Sequence, residues 1–359
     1  MIDDARLQIR PAPQARQTDV LFDDRKYSAF PHVVSLDGEE LLIAFRQAPR
    51  QDVIRHTHPR SIITVMRSYD LGVSWDIDNA TQLAAGGGQE FGMLHLGNGV
   101  VGGALAKHGV APMAEAKRAG VPIQSHEYPF GLNGGYWVVS KNYGLTWQIE
   151  KFRVVDLAAM PCAAPIEVDD GNLLLPAYGI AGGATVQSSL LYRSTDGGNT
   201  WSGPVLMAAG KADERTYCEP GIVELARGHL LCLHRTEHNE VGPAGTFWRN
   251  ESFDGGLTWT APEDTGIRSG ACPRLLKMAD GRVLLTFGRR RERYGIRAML
   301  SADGGKTWGD TAWVVREAPN WDQGYTSSIQ LADGGVFTVS YGQNATGTTG
   351  ITGTWWRLP

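Results

Sequence analysis

One motif recurs through this chain and limits its fold more than any other feature. The pattern Ser-x-Asp-x-Gly-x-Ser/Thr-Trp, with Asn once in place of Asp, occurs five times. The copies are Ser68-Asp70-Gly72-Trp75, Ser140-Asn142-Gly144-Trp147, Ser194-Asp196-Gly198-Trp201, Ser252-Asp254-Gly256-Trp259 and Ser301-Asp303-Gly305-Trp308. Each reads as a hairpin turn. The Asp or Asn side chain bonds nearby backbone, the glycine supplies a positive φ, and the tryptophan packs between neighbouring sheets. Self-similarity of this kind marks a repeat architecture, in which each supersecondary unit stacks on the next.

A second ruler precedes each box: an apolar stretch, a turn usually written Asp-Gly, then another apolar stretch. Its turn glycines are Gly38, Gly99, Gly171, Gly228, Gly281 and Gly334. These number one more than the boxes, so six units are expected, each running strand A, turn, strand B, loop, strand C, box, strand D. The predicted fold class is all-β, a six-bladed β-propeller forming a single domain over 1–359. The sixth unit reaches Pro359 with room for strand C but not strand D. A strand near Val20–Asp23, or just before it, is expected to fill that gap and close the ring, removing the open edge. The longest interval between box tryptophans, Trp75 to Trp147, marks an insertion over 107–135, with a short helix expected at Pro112–Gly120. By strand direction the insertion lies on the face opposite the boxes, as a lid, an oligomer contact or a plain loop.

Composition agrees with many short strands, since 359 residues include 45 glycines and 11 tryptophans. A formal charge of −4 argues against nucleic acid or an anionic membrane as partner. No apolar run approaches the roughly 18 residues of a spanning helix. Met1–Gln17 is polar and lacks a signal-peptide core, so a cytoplasmic protein is expected, or a secreted one if a leader has been removed. Cys162, Cys218, Cys232 and Cys272 show no metal-ligand or disulfide spacing and read as reduced thiols.

In a propeller strand A is innermost, and the face holding the strand A starts and strand B ends carries the site. Counting back nine residues from each turn glycine gives Ala29, Glu90, Cys162, Glu219, Cys272 and Tyr325. Counting forward seven or eight gives Arg46, Lys107, Tyr178, Arg235, Arg289 and Tyr341. Acids, tyrosines and arginines converging on an axis make a poor packed core and a good site. Arginines of one sign would repel unless an anion lay between them, and planar guanidinium groups suit a carboxylate. An acidic sugar is therefore the expected ligand. The loop after strand B of the first unit holds Asp52, His56 and His58 as candidates for proton transfer or substrate contact. His56 and His58 alone do not make a metal site, and neither metal nor cofactor is expected. His108, His126, His234 and His238 are read as loop residues on the site face.

With these positions the chain resembles the sialidase superfamily of Asp-box propellers over nearly its whole length. The resemblance implies that Tyr325, in Gly324-Tyr325-Thr326-Ser327-Ser328, is the nucleophile, and that Glu219, in Cys218-Glu219-Pro220, activates it. It implies Arg235 as the second arginine of a carboxylate-binding triad, with Arg289 and Arg46 as candidates for the others. The family's first arginine, in Phe/Tyr-Arg-Ile-Pro, is replaced here by Ala29 in Ser28-Ala29-Phe30-Pro31, and the glutamate that orients it is missing after Tyr341.

The leading expectation is a sialidase-like glycoside hydrolase, exo-acting on a terminal acidic sugar. Tyr325, Glu219, Asp52 and His56 are its catalytic candidates; Arg46, Arg235, Arg289, Glu90, His58 and Tyr178 are its substrate contacts. The alternatives are a polysaccharide lyase acting on a uronic-acid glycoside, and a glycan-binding propeller without catalysis.

Overall fold

A computed structural model describes residues 7–50, 58–83, 86–110, 130–237, 245–268 and 270–359. Two short N-terminal strands, β1 (Gln8–Pro11) and β2 (Arg16–Leu21), precede six blades. Blade 1 is β3 (Lys26–Ser35), β4 (Leu41–Pro49), β5 (Ile62–Ser68) and β6 (Asp76–Leu83). Blade 2 is β7 (Gly88–His95), β8 (Val101–Val110), β9 (Phe130–Ser140) and β10 (Arg153–Asp156). Blade 3 has an inner strand in two pieces, β11 (Ala159–Pro161) and β12 (Ile166–Glu167), then β13 (Leu173–Gly179), β14 (Ser188–Ser194) and β15 (Ser202–Ala208). Blade 4 is β16 (Thr216–Ala226), β17 (His229–Glu237), β18 (Thr246–Ser252) and β19 (Glu263–Arg268). Blade 5 is β20 (Arg274–Lys277), β21 (Val283–Arg289), β22 (Gly295–Ser301) and β23 (Thr311–Glu317). Blade 6 is β24 (Gly324–Gln330), β25 (Val336–Gln343) and β26 (Thr349–Trp356), completed by β2. Among the described residues the one helical element is the 3-10 turn Ile149–Lys151.

The ring closes as expected, with a shift. β2 pairs antiparallel with β26, Arg16 opposite Trp355 and Leu21 opposite Ile351. The strand ends before Asp23 because that carboxylate caps a turn, accepting the Arg25 amide at 3.0 Å. Strand β1 was not anticipated; it adds a fifth strand to blade 5, parallel to β23. Six apolar clusters fill the six gaps between blades. One, with Phe45 and Phe337, joins blades 1 and 6. The others join 1 to 2, 2 to 3, 3 to 4, 4 to 5 and 5 to 6. The hydrophobic core is thus a ring of six seams.

The boxes fasten those seams. In blade 3, Ser194 Oγ donates to Asp196 at 2.8 Å and accepts the Gly198 amide at 2.8 Å, while Thr200 bonds both carboxylate oxygens of Asp196. The other four boxes repeat the serine bonds. Gly198 has φ of 85°, and a methyl group there would lie 2.1 Å from the Trp137 ring of blade 2. Glycine is demanded twice, by the turn and by the neighbouring blade.

Strands β8 and β9 pair as far as Val110 and Phe130, so both ends of the expected 107–135 insertion are strand. Its centre, with the helix expected at 112–120, lies outside the described residues. The described strand ends that flank it, Val110 and Phe130, lie at the end of the blade opposite the box.

Candidate active site

Three inner strands carry the same backbone device. β3, β16 and β24 each hold a bulge, between Ala29 and His32, Cys218 and Gly221, and Gly324 and Ser327. The first bulged residue is left-handed in all three: Phe30 (φ 57°), Glu219 (φ 45°) and Tyr325 (φ 48°). This conformation costs an ordinary side chain roughly 1–2 kcal/mol, so its repetition at the axis points to function. The bulge breaks the strict in-and-out alternation and re-aims the side chain. It also corrects the nine-residue count in blade 1, where the equivalent of Glu219 and Tyr325 is Phe30, and Ala29 faces the seam with blade 6.

Glu219 and Tyr325, 106 residues apart, meet. The phenol donates to Glu219 Oε1 at 2.5 Å. Arg235 Nη1 donates to Glu219 Oε2 at 2.7 Å and lies 3.5 Å from the phenol oxygen, while its Nη2 bonds Glu237 at 2.8 Å. Arg235 stands opposite Cys218 on β17, beside the bulge it serves. Burial pushes the Glu219 carboxyl up, but Arg235 and the Tyr325 hydrogen bond prevail and hold it below the usual range. Burial, then the Glu219 charge, drive the Tyr325 phenol well above its usual value. The resting state is a carboxylate receiving the proton of a neutral phenol.

The third wall is Arg290. Its guanidinium lies 5.3 Å from the Tyr325 ring, with Nη2 donating to Tyr341 Oη at 2.8 Å and Nε to the Gln323 carbonyl at 2.9 Å. This corrects the choice of Arg289. That residue ends β21, donates from Nε to the Glu292 carbonyl at 3.3 Å, and lines a narrow cleft with Leu7 and Ile9. Arg290, one residue past the end of β21, is the one that meets Tyr325 and Tyr341.

Arg46 holds the same register in blade 1 as Arg235 in blade 4, opposite Ala29. Its surroundings differ. It is 1 % exposed, sits 5.5 Å from the Tyr27 ring, and its Nε and Nη1 find no hydrogen-bond partner among the described residues. Burial lowers its pKa, partly offset by Tyr27, Tyr341 and Asp322. Phe30 lies between this arginine's strand and the dyad, packed edge-on against Tyr325 at 4.6 Å. Arg46 meets Tyr341 and Asp322, the groups that Arg290 also meets, from the blade 1 side.

Asp322 escaped the sequence reading. It is buried, accepts Tyr27 Oη at 2.9 Å and Thr349 Oγ1 at 3.1 Å, and burial raises its pKa against those bonds. The signal was its place in Trp321-Asp322-Gln323-Gly324-Tyr325, directly before β24.

Glu90 lies lower on the axis, 3.6 Å from Arg274, and its pKa is pushed well up by burial. With His32, Cys162, Arg274 and Tyr325 it lines a water-sized cavity. Tyr178 is half-buried, its pKa raised by burial and then by Glu219 and Glu90. His58 is buried and accepts the Arg60 amide on Nδ1 at 3.0 Å, holding a turn. Asp52, His56, His126 and His238 lie outside the described residues. The loop reading of two histidines is corrected: His108 pairs with Leu132 within β8, and His234 is fully buried in β17, bonding Asn250 at 2.8 Å. All four cysteines are free thiols.

The model of a BNR repeat-like domain matches residues 122–338, more than half of the chain. The chain belongs to the BNR repeat-like family. Its fold is that of the sialidase superfamily. This BNR propeller superposes on a protein of unknown function from Dyadobacter fermentans DSM 18053 with a TM-score of 0.82 and 24 % identity, over 97 % of this chain and 100 % of the other. The Hadza microbial sialidase Hz136 matches with a TM-score of 0.66 and 18 % identity, over 92 % of this chain and 66 % of that one. The intramolecular trans-sialidase from Ruminococcus gnavus, crystallised with oseltamivir carboxylate, matches with a TM-score of 0.63 and 14 % identity, over 95 % and 97 %. These likenesses are of fold. No curated protein matches the sequence. No helix among the described residues is long and apolar enough to cross a membrane.

Proposed function

We propose that this propeller is an exo-acting glycoside hydrolase that removes a terminal acidic sugar through a tyrosine nucleophile. The observation that carries the reading is the 2.5 Å hydrogen bond from Tyr325 to Glu219, clamped by Arg235. A lone phenol with a pKa near ~10 gives up its proton reluctantly at neutral pH. Here Glu219 takes that proton as the Tyr325 oxygen bonds to the anomeric carbon and the leaving group departs. Asp52 or His56, in the segment that follows Pro49 of blade 1, is assigned the proton for the departing oxygen. Water then attacks the anomeric carbon and gives a proton back to Asp52 or His56, the bond to Tyr325 breaks, and Glu219 returns the proton to the phenol. Arg235 and Arg290 flank the nucleophile and grip the substrate carboxylate, the geometry in which guanidinium groups serve best. Tyr178 and Glu90 contribute further polar groups on the axis.

The test is product mass from a panel of acidic glycosides and uronic-acid polysaccharides. Hydrolysis adds one water to the sum of the products. An unsaturated product without that gain assigns a lyase, with Tyr325 as the base, and turnover of nothing together with glycan binding assigns a lectin-like propeller.

A further inference from the structure

One large aromatic side chain stands in water on the site face. Trp321 is 50 % exposed, and among the described residues it is the one exposed tryptophan. The other tryptophans are buried or half-buried. An indole in this position keeps one face open to a ligand.

The backbone that presents it is tied down on every side. The Trp321 carbonyl accepts the Gln323 amide, and Asn320 Oδ1 accepts the Asp322 amide, both at 2.9 Å. Asn320 Nδ2 donates to Gln343, at the end of β25, at 2.6 Å. The Asp322 carboxylate is held by Tyr27 of β3 and Thr349 of β26. Gln323 donates to the Arg289 carbonyl at 2.7 Å and accepts Arg290 Nε at 2.9 Å. The turn over 320–323 is thus fixed to blades 1, 5 and 6, and it runs straight into the strand whose second residue is Tyr325. An exposed aromatic on a rigid turn has already lost the backbone freedom that binding would otherwise remove.

We propose that Trp321 is the platform on which the ring of the leaving-group sugar stacks. A pyranose presents an apolar C–H face to an indole while its hydroxyls stay wet, and an indole with one face in solvent matches that pattern. The inference rests on the hydrolase reading above and deepens it: the natural substrate is an acidic sugar linked to a second sugar ring, not to a small or acyclic alcohol. Trp321 is a specificity residue in this account and touches no reacting atom.

The experiment compares two leaving groups on one glycone, using sialyllactose with sialyl fluoride and a glucuronyl disaccharide with glucuronyl fluoride. Fluoride has no ring to stack. For the pair that is turned over, Trp321→Ala lowers kcat/KM on the disaccharide by about tenfold and leaves the fluoride unchanged, while Trp321→Phe recovers most of the loss. Equal losses on both substrates, or no loss on either, overturn the proposal. Calorimetry on the Tyr325→Phe protein separates this from failure of the hydrolase reading. If nothing is cleaved, the platform still requires the disaccharide to bind more tightly than its acidic monosaccharide, with that advantage lost in the Trp321→Ala, Tyr325→Phe double variant. Equal binding of both sugars, or binding of neither, overturns it.

Discussion

Blades 4 and 1 carry the same backbone device and use it in opposite ways. Each has a bulge in its inner strand, a left-handed residue at the bulge, and an arginine on the facing strand in the same register. In blade 4 the bulged residue is Glu219, and Arg235 bonds it, Tyr325 and Glu237. In blade 1 the bulged residue is Phe30, and Arg46 is buried with two donors unmatched among the described residues. The fold therefore supplies places on the axis, and the side chain decides whether a place is chemical or packed. Blade 6 repeats the lesson with Tyr325.

The largest effect expected from this contrast is on the chemical side. Tyr325→Phe keeps the ring packed against Phe30 but removes the proposed nucleophile, and Glu219→Gln removes its proposed proton acceptor. Each should lower kcat by about a thousandfold or more while circular dichroism stays native. Near-normal turnover by either variant would dissolve the distinction between the blades.

Stability separates the two arginines. Arg235→Met leaves the Glu219 carboxylate buried without its hydrogen-bonded cation and should cost about 3–5 kcal/mol. Arg46→Met removes a buried charge with two donors that meet no partner among the described residues, and should raise stability by about 1 kcal/mol or more. Denaturant unfolding of the two variants checks the opposite signs, and a loss in both would mean that Arg46 is as well compensated as Arg235.

A smaller effect is the acid response. His32 is half-buried, with its pKa depressed to about 3 by desolvation and then by Arg274, and full burial depresses His234 to about 4. Between those values and the ordinary ~6.5 the unfolded chain binds protons that the folded chain refuses. Stability from both histidines is full above about pH 6.5 and falls as pH drops toward 4, at up to ~1.4 kcal/mol per unit for each. Glu219 adds a later loss, because its depressed pKa keeps its contribution until pH falls below the ordinary carboxylate range. Urea midpoints from pH 7 to 4 measure the slope, and a flat profile would contradict these burials.

The fold was legible because the boxes and turn glycines are local signals repeated many times. The same counting located Glu219, Tyr325, Arg235 and Arg46, since hairpins conserve register. It slipped where a bulge adds a residue, placing Ala29 where Phe30 stands. It also slipped where a strand ends, naming Arg289 for Arg290. Asp322 and Trp321 were missed because they sit in a crossover between blades, where no ruler runs. Strand β1 was missed because a four-residue strand pairing parallel with β23 carries no pattern of its own.

The central claim is that the Tyr325 oxygen forms the bond to the sugar. Mass spectrometry after reaction with a ring-fluorinated glycosyl fluoride of the sugar that is turned over tests it most directly, since such reagents slow the second step and let a covalent intermediate accumulate. The account predicts one glycosyl adduct per chain, carried on the peptide containing Tyr325 and absent from Tyr325→Phe. An adduct on any other residue, or rapid turnover that never passes through one, would contradict it.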